Sequence, residues 1–362
     1  MRYIDEFRNQ KLVKRVAREI KKIAPAEQTV NLMEVCGTHT QGFFRFGLKE
    51  LIPGNIHLLS GPGCPVCVSP QDYMDQAIEL ARKQDVIIAT FGDMLRVPGN
   101  NSSLEKERSE GAQVRIVYST LDALKVTQEN PQKKIVFLGV GFETTSPTVA
   151  IAIQLAKEKN LRNFSVLTSH KLIPPAMQII AQDKNLNIQG FLCPGHVSTI
   201  IGSKPYEFIA KRYHLPCVIA GFEPLDILEG IYRLLRQITR KFPQVEIQYK
   251  RVVRPHGNPA AKKILSEVFS TCDSNWRGLG IIPKSGLKIK EKYARFDAQK
   301  VFSLKTKNTP EPKGCICGLV LKGTKRPNDC HNFATICTPE NPLGPCMVAS
   351  EGTCSTYYRY RK

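Results

Sequence analysis

Cysteine is the residue type that carries most of the potential chemistry in this 362-residue chain, which contains twelve of them. Half lie in a carboxyl-terminal segment rich in Gly, Pro and Asn: Cys315, Cys317, Cys330, Cys337, Cys346 and Cys354. Thiolates at irregular spacing on loops can surround an iron-sulfur cluster, whereas structural zinc sites usually present paired C-x2-4-C knuckles, which this segment lacks. We therefore predict a cluster rather than zinc or buried free thiols. Since a cluster needs four ligands, two thiols remain for redox work.

A second cysteine motif runs from Gly61 to Cys67, in the sequence GPGCPVC, and contains Cys64. It directly follows a short apolar run and precedes the helical stretch QDYMDQAIELARK. Unpaired amides at a helix start lower the pKa of a thiol, which favours disulfide exchange or metal binding. The alternative interpretation is a turn with two incidental cysteines.

Cys36 and His39 form a third motif, in the sequence EVCGTHT at residues 34–40. A cysteine and a histidine three residues apart can share a metal ion or form a thiolate with its proton partner. His196, in CPGHVS, has either a catalytic or ligand role or a structural hydrogen bond. The remaining cysteines, Cys193, Cys217 and Cys272, have no partner at ligand spacing and are interpreted as core thiols.

The elements that position these residues are indicated by short apolar runs, most of which end in Gly, Ser, Thr or Cys before a helical stretch. The eight runs occupy positions 30–35, 56–60, 85–92, 114–119, 134–143, 164–169, 188–195 and 216–223. Strand and helix alternation predicts an α/β fold with parallel sheets. Residues 5–23 repeat apolar positions at helical spacing and predict an amphipathic helix.

Ligands bind beyond the carboxyl ends of strands in such sheets. We therefore expect one cleft lined by residues that follow the strands: Cys36, His39, Cys64, Cys67, Asp93, Glu143, His170, His196 and Glu223. Glu143 and Glu223 could instead cap helices or hold a neighbouring lobe. The predicted division is an amino-terminal helix in 1–30, α/β lobes in 31–130 and 131–250 flanking the cleft, and a small cysteine-rich iron-sulfur module in 251–362. Beyond residue 250, PAAKKILSEVF predicts a helix and WRGLGIIPKSG a loop.

Composition limits the class of protein. The chain has no apolar run long enough to span a membrane and no secretion signal, so we expect a cytoplasmic protein without a membrane partner. Its 52 Lys and Arg residues against 32 Asp and Glu residues give a net charge of +20. The basic residues are scattered rather than interleaved with aromatics, which argues against nucleic-acid binding and fits an acidic protein partner equally well.

Taken in order, these motifs resemble the HypD family of nickel-iron hydrogenase maturation proteins. The resemblance rests on CGTHT at 36–40, GPGCPVC at 61–67, GFETT at 141–145, PGHVS at 194–198, GFE at 221–223 and the tail ending in SEGTC. It spans residues 31–354, and no functional position of the family is missing.

The resemblance implies a 4Fe-4S cluster on the tail pattern C-x14-C-x6-C-x16-C, which falls on Cys315, Cys330, Cys337 and Cys354. It also implies that Cys317 and Cys346 form a thiol pair next to the cluster, as in ferredoxin-thioredoxin reductase. Electrons would pass from the cluster to this pair, then to Cys64 and Cys67, and finally to the cleft.

For Cys36 the resemblance implies an iron-holding thiolate, shared with the amino-terminal cysteine of a small partner, HypC, with His39 nearby as ligand, proton donor or orienting group. Cyanide would arrive from HypE, and its transfer from a protein thiocyanate consumes two electrons. The Fe(CN)2CO moiety would then pass towards the hydrogenase large subunit. This makes the protein a redox-active assembly scaffold rather than a conventional turnover enzyme, with a closed cleft that retains cyanide and carbon monoxide and could include His196.

Two other functions use the same residues. An iron-sulfur disulfide oxidoreductase would need neither a HypC-like partner nor iron on Cys36. A basic nucleic-acid-binding protein with a structural cluster is favoured by net charge alone, and salt-dependent retention on nucleic acid would distinguish it.

Overall fold

The computed structural model of the protein describes residues 4–183, 185–305 and 309–361. Its strands are β1 Val30–Glu34, β2 Ile56–Ser60, β3 Val86–Thr90, β4 Val114–Ile116, β5 Lys134–Gly141, β6 Phe164–His170, β7 Gly190–Pro194, β8 Cys217–Ala220, β9 Val245–Ile247, β10 Phe269–Trp276 and β11 Gly280–Ile289. Its α-helices are α1 Gln10–Ile23, α2 Gly37–Arg45, α3 Gln71–Ala81, α4 Leu104–Ser109, α5 Thr120–Glu129, α6 Ser146–Glu158, α7 Ile173–Gln182, α8 Gly195–Ile201, α9 Glu207–Tyr213, α10 Pro224–Arg240, α11 Pro259–Val268, α12 Ala298–Val301, α13 Cys317–Leu321, α14 Pro345–Val348 and α15 Thr353–Arg359.

Two parallel sheets organise the chain. Sheet A has the strand order β2-β1-β7-β8-β9, and sheet B has the order β4-β3-β5-β6. All the pairings within both sheets are parallel. The central strands are buried along their length, because helices cover both faces of a parallel sheet. The predicted α/β fold class is confirmed, and each of the eight predicted strands is present.

The two sheets interleave along the chain. Residues 30–60 and 190–247 supply sheet A, whereas residues 86–170 supply sheet B. Each of the predicted ranges 31–130 and 131–250 therefore contributes strands to both sheets, and the two lobes exchange segments.

The predicted amphipathic helix forms in two parts. A 3-10 turn covers Asp5–Arg8, and α1 begins after Asn9, whose side chain accepts hydrogen bonds from the amides of Lys11 and Leu12. The helix α1 buries Val13, Ala17 and Ile20 and packs against α10. The amino-terminal segment therefore covers one face of sheet A.

The segment after residue 250 corrects one prediction. The helix predicted from PAAKKILSEVF is present as α11, but the stretch predicted as a loop forms much of an antiparallel hairpin of β10 and β11. Gly278 and Gly280 take positive φ values of 77° and 74° at its turn, which a side chain disfavours. Burial alternates along β10, and Cys272, interpreted as a core thiol, is partly exposed there. Across the described ranges, no helix is both long and apolar enough to cross a membrane.

Candidate functional site

The carboxyl edge of sheet A gathers the main motifs. Strands β1, β2, β7 and β8 are neighbours, and each ends immediately before a loop that carries one of them. Cys36 follows β1, the GPGCPVC loop follows β2, His196 follows β7, and the Gly-Phe-Glu sequence at 221–223 follows β8. Parallel pairing brings these loops together because the carboxyl ends of parallel strands share one edge.

A side-chain contact at this edge joins two of the motifs, through Cys36 and His196. Cys36 Sγ lies 3.0 Å from His196 Nε2, although the residues are 160 positions apart. Burial, with a smaller contribution from the Glu351 carboxylate, raises the pKa of the Cys36 thiol. Burial also lowers the pKa of His196 to about 4. A neutral imidazole therefore faces a protonated thiol, and it can accept the thiol proton when a metal ion replaces it.

The aromatic ring of Phe222 contacts both histidines of the site, His39 and His196. The Phe222 ring stacks on His196 at a centroid distance of 4.2 Å and packs on His39 at 4.9 Å. His39 Nε2 donates to the carbonyl oxygen of Gly221 at 2.9 Å, and burial lowers the pKa of His39 to about 4. His39 Nδ1 is buried and has no hydrogen-bond partner among the described residues. That nitrogen keeps a free lone pair.

Close backbone packing fixes the Cys36 loop. A Cβ atom on Gly63 would lie 2.1 Å from the backbone nitrogen of Cys36. One on Gly37 would lie 2.3 Å from the backbone carbonyl oxygen of Glu351. The Gly37 amide donates to the Gly63 carbonyl at 3.1 Å. The Cys36 amide donates to Glu34 Oε2 at 2.9 Å. Both glycines are needed because the GPGCPVC loop and the carboxyl-terminal segment approach Cys36 at backbone distance.

Two further carboxylates lie near this loop. Thr38 Oγ1 donates to Glu351 Oε1 at 2.5 Å, and Glu34 accepts a hydrogen bond from the hydroxyl of Thr40. Burial raises the pKa of Glu34 to about 8 and also raises the pKa of Glu351. The negative charge of Asp93, which follows β3, also raises the pKa of Glu351. The site therefore combines sheet A, the β3 loop and the carboxyl-terminal segment.

Cys64 and Cys67 are buried and joined by a disulfide, with their Cα atoms 5.2 Å apart. Cys67 Sγ lies 4.0 Å from the carbonyl oxygen of Pro345, the residue before Cys346. The GPGCPVC loop thus contacts Cys36 through Gly63 and the carboxyl-terminal segment through Cys67.

The six carboxyl-terminal cysteines surround one pocket. Its walls are Cys315, Cys317, Cys330, Cys337, Cys346 and Cys354 with Ile316, Phe333, Gly344 and Met347. A Cβ on Gly344 would lie 2.8 Å from Cys315 Sγ, so glycine gives the sulfurs room. The Cys317 thiol contacts those of Cys315 and Cys346, and these contacts lower its pKa.

The donor set of this pocket fits an iron-sulfur cluster. Its potential ligands are sulfur atoms, the atoms that iron-sulfur clusters take from proteins. Within the described part of the chain, no three His, Cys, Asp or Glu side chains converge on a point where one metal ion could bind. In a four-iron cluster each thiolate binds a different iron atom, so a cluster does not need such a single-ion site.

Three of the residues expected in the cleft have other surroundings. Glu143 Oε1 accepts from the Ile173 amide at 3.0 Å, and His170 Nδ1 lies 2.8 Å from Thr168 Oγ1. Both belong to the sheet B side: Glu143 follows β5, and His170 is the last residue of β6. Glu223 precedes α10 and accepts hydrogen bonds from the Arg8 guanidinium at 2.5 and 3.0 Å, which ties the amino-terminal segment to sheet A.

Comparison with known proteins agrees with the arrangement of these motifs. The model of the HypD family, described as the hydrogenase formation hypA family, matches residues 11–361. The chain belongs to the HypD family. It is 46% identical over 368 residues to the hydrogenase maturation factor HypD of Cupriavidus necator, covering 99% of this chain and 97% of the relative. It is 43% identical over 368 residues to that of Escherichia coli, covering 100% of this chain and 99% of the relative.

The predicted HypD membership and hydrogenase maturation role are confirmed by these matches. In this HypD chain, two residues that contact the predicted ones were not expected from the sequence: Phe222 and Glu351. Phe222 is the middle residue of the Gly-Phe-Glu motif, of which only Glu223 was predicted to lie in the cleft. Glu351 belongs to the SEGTC motif, of which only Cys354 was predicted to have a role, as a cluster ligand. Their motifs were visible, but their contacts depend on tertiary structure.

Proposed function

We propose that this chain acts with a HypC-type partner as a scaffold that holds iron on Cys36 while the Fe(CN)2CO moiety of the nickel-iron hydrogenase is assembled. The observation that carries this proposal is the contact of 3.0 Å between Cys36 Sγ and His196 Nε2 at the carboxyl edge of sheet A. Iron is the cargo here, and the partner's cysteine would share it. Thiolate, cyanide and carbonyl ligands together suit low-spin ferrous iron.

The residues around Cys36 have distinct tasks in this scheme. His196 passes the thiol proton on to solvent when iron binds, because its imidazole is neutral, within hydrogen-bond distance of the thiol and only partly buried. His39 is oriented by its bond to the Gly221 carbonyl and by the Phe222 ring. Gly37 and Gly63 let neighbouring backbone cover the thiol, which leaves Cys36 only 2% exposed. Such enclosure retains cyanide and carbon monoxide and excludes water.

Cys315, Cys330, Cys337 and Cys354 would hold the 4Fe-4S cluster, as their shared pocket supports. When bound, the cluster supplies electrons one at a time. Cys317 and Cys346 lie in the same pocket and form the adjacent thiol pair. The contact of Cys67 Sγ with the Pro345 carbonyl supports dithiol exchange between this pair and the disulfide of Cys64 and Cys67.

The electron requirement follows from the cyanide donor, which we propose to be a thiocyanate on a HypE-type partner. Cleavage of its sulfur-carbon bond takes up two electrons and yields a thiolate and cyanide. Reduced Cys64 and Cys67 could deliver that electron pair, forming their disulfide again. The finished moiety then leaves Cys36 for the hydrogenase large subunit.

A second candidate function is an iron-sulfur disulfide oxidoreductase that has no iron-scaffold role. The specific observation in its favour is the disulfide between Cys64 and Cys67, which contacts the carbonyl of Pro345, the residue before Cys346. This function needs the two thiol pairs but not the contact between Cys36 and His196.

The deciding experiment is infrared spectroscopy of the complex purified anaerobically with a HypC-type partner from cells that express the full set of maturation proteins. The wild type, Cys36→Ala and the control Cys272→Ala are compared, with iron and sulfide measured in each. Cys272 is a thiol on β10, outside the proposed iron site. We expect cyanide and carbonyl bands in the wild type and the control, and their loss in Cys36→Ala with cluster iron retained.

Cluster iron without such bands in the wild-type complex would refute the scaffold and support the oxidoreductase. Absence of iron and sulfide from all three proteins would refute the cluster instead.

A further inference from the structure

The strand β2 forms one edge of sheet A, and residues 57–60 of it are only half-buried. The Val30 amide donates to the Asn55 carbonyl, and the Gly61 amide donates to the Glu34 carbonyl. Because hydrogen bonding alternates along a strand, the odd-numbered positions face β1, whereas the backbone of Leu58 points away from the sheet. Within the described ranges, no backbone hydrogen bond from outside the sheet reaches Leu58. Its amide and carbonyl are therefore available to another extended chain.

A groove lies along each face of this edge strand. The first, of about 280 Å³, is lined by Leu58 and by the rings of Phe44 and Tyr357, whose centroids are 4.6 Å apart. The second, of about 460 Å³, is lined by Leu59. Successive side chains of a strand point to opposite faces, so the two grooves lie on opposite faces of β2. Arg326 borders both grooves, which places it beside the free edge between them.

The charged residues around the grooves favour an acidic ligand. Lys49 and Arg326 border the first groove, and Lys325 and Arg326 border the second. Among the described residues that line the two grooves, the one carboxylate is that of Asp329, which accepts from the Arg326 amide at 2.8 Å. A second copy of this chain, whose net charge is +20, would bring the same cations to the edge. Like charges oppose such self-pairing, so the complementary partner is acidic.

We propose that the free edge of β2 binds an extended acidic segment of a partner protein, which adds a strand to sheet A. In this mode of binding, main-chain hydrogen bonds supply affinity and pockets for alternate side chains supply specificity. The groove of Phe44 and Tyr357 receives apolar side chains, and the alternate side chains carry carboxylates towards Lys325 and Arg326. Because the GPGCPVC loop directly follows β2, the partner is held beside that loop.

The test is fluorescence anisotropy of the full-length protein with a labelled probe peptide in which valine and glutamate alternate. The wild type, R326E and the control R115E are compared. Both substitutions change the net charge equally, but Arg115 lies on β4 of sheet B, outside both grooves. We expect R326E to weaken binding about tenfold, because a repulsion replaces an attraction, and R115E to bind as the wild type does.

Modified probes separate the backbone contribution from the charge contribution without changing the protein. Two peptides are N-methylated at one or the other alternate set of residues, and the one whose methyl groups face β2 should bind about tenfold more weakly. A peptide with lysine in place of glutamate should not bind. Hydrogen exchange with electron-transfer fragmentation should show that the Leu58 amide becomes protected when the acidic probe binds, whereas the amides of His57 and Leu59 are protected already.

The N-methylated peptides need no variant, so they decide the question if R326E does not fold. The proposal is overturned if the acidic probe does not bind the wild type, if R326E and R115E bind it equally, or if both N-methylated peptides bind as the parent does. Equal binding of the lysine peptide excludes an acidic partner, and dimerisation that the probe reverses assigns the edge to a second copy instead. No measurement here involves iron, cyanide or the cluster, so failure leaves the proposed function unchanged.

Discussion

The packing of Gly63 against Cys36 gives the sharpest prediction. In Gly63→Ala, the new Cβ would lie 2.1 Å from the Cys36 nitrogen and 2.4 Å from its Cα. Both are backbone atoms, which cannot rotate away as a flexible side chain could, so the loop must shift. Overpacking of this kind costs about 1–3 kcal/mol, and we expect the upper end.

That cost converts into a measurable change in melting temperature. With an unfolding entropy of about 2 cal/mol/K per residue, a chain of this length loses about 1.3 °C per kcal/mol, or about 4 °C for Gly63→Ala. The matched control is Gly54→Ala, because nothing lies within 4 Å of its Cβ position. The control should melt at or slightly above the wild-type temperature, since alanine reduces the entropy of the unfolded chain.

A second readout follows the site itself. Displacement of the loop should expose Cys36, which is 2% exposed in the intact protein, and increase its alkylation by iodoacetamide as measured by mass spectrometry. If Gly63→Ala melts with the wild type and leaves Cys36 equally protected, the backbone approach does not fix this loop and our reasoning is wrong.

Two further predictions concern buried charge. Burial raises the pKa of Glu143 to about 8 from near 4.5, so the folded state keeps a proton that the unfolded state has lost; stability therefore falls with rising pH, by up to about 1.4 kcal/mol per pH unit. Glu143→Gln should flatten the urea-unfolding free energy between about pH 5 and pH 8, and an unchanged slope would contradict this. Asp226→Ala should cost about 3 kcal/mol or more in urea unfolding, because it strands the enclosed Arg251 cation. Arg8→Ala, at the more exposed pair with Glu223, should cost much less, and equal costs would show that enclosure is not decisive.

Eight of the nine strands of sheets A and B were predictable, because each lies in a short apolar run. Apolar runs such as residues 134–143, bounded by turn residues, have few other stable locations than the centre of a covered sheet. The β10 and β11 hairpin was missed because the six residues between Phe269 and Trp276 include no large apolar side chain and because the glycines of WRGLG suggest a loop. The strand β9 was missed because its residues are only partly buried and its sequence contains no continuous apolar run.

The candidate site was predictable in part for a similar reason. Motifs at strand ends indicate which residues reach the edge of a sheet, and this located Cys36, Cys64 and His196. Sequence alone does not give the order of strands, so it does not show that β1 lies beside β7 and brings His196 to Cys36. Glu143 and His170 come from sheet B, Glu143 after β5 and His170 at the end of β6, and their place in the predicted cleft stays a prediction.

The interleaving of the two sheets has a consequence for protein synthesis. All four strands of sheet B lie between residues 86 and 170, so this sheet can be completed while the chain is still being translated. In sheet A, β1 must wait for β7, which is more than 150 residues later in the chain. The hydrogen bond from Thr38 to Glu351 can form only later, after residue 351 has been synthesised. A ribosome-bound chain therefore carries Cys36 without its enclosure for most of its synthesis, and the thiol becomes protected only when nearly the whole protein has emerged.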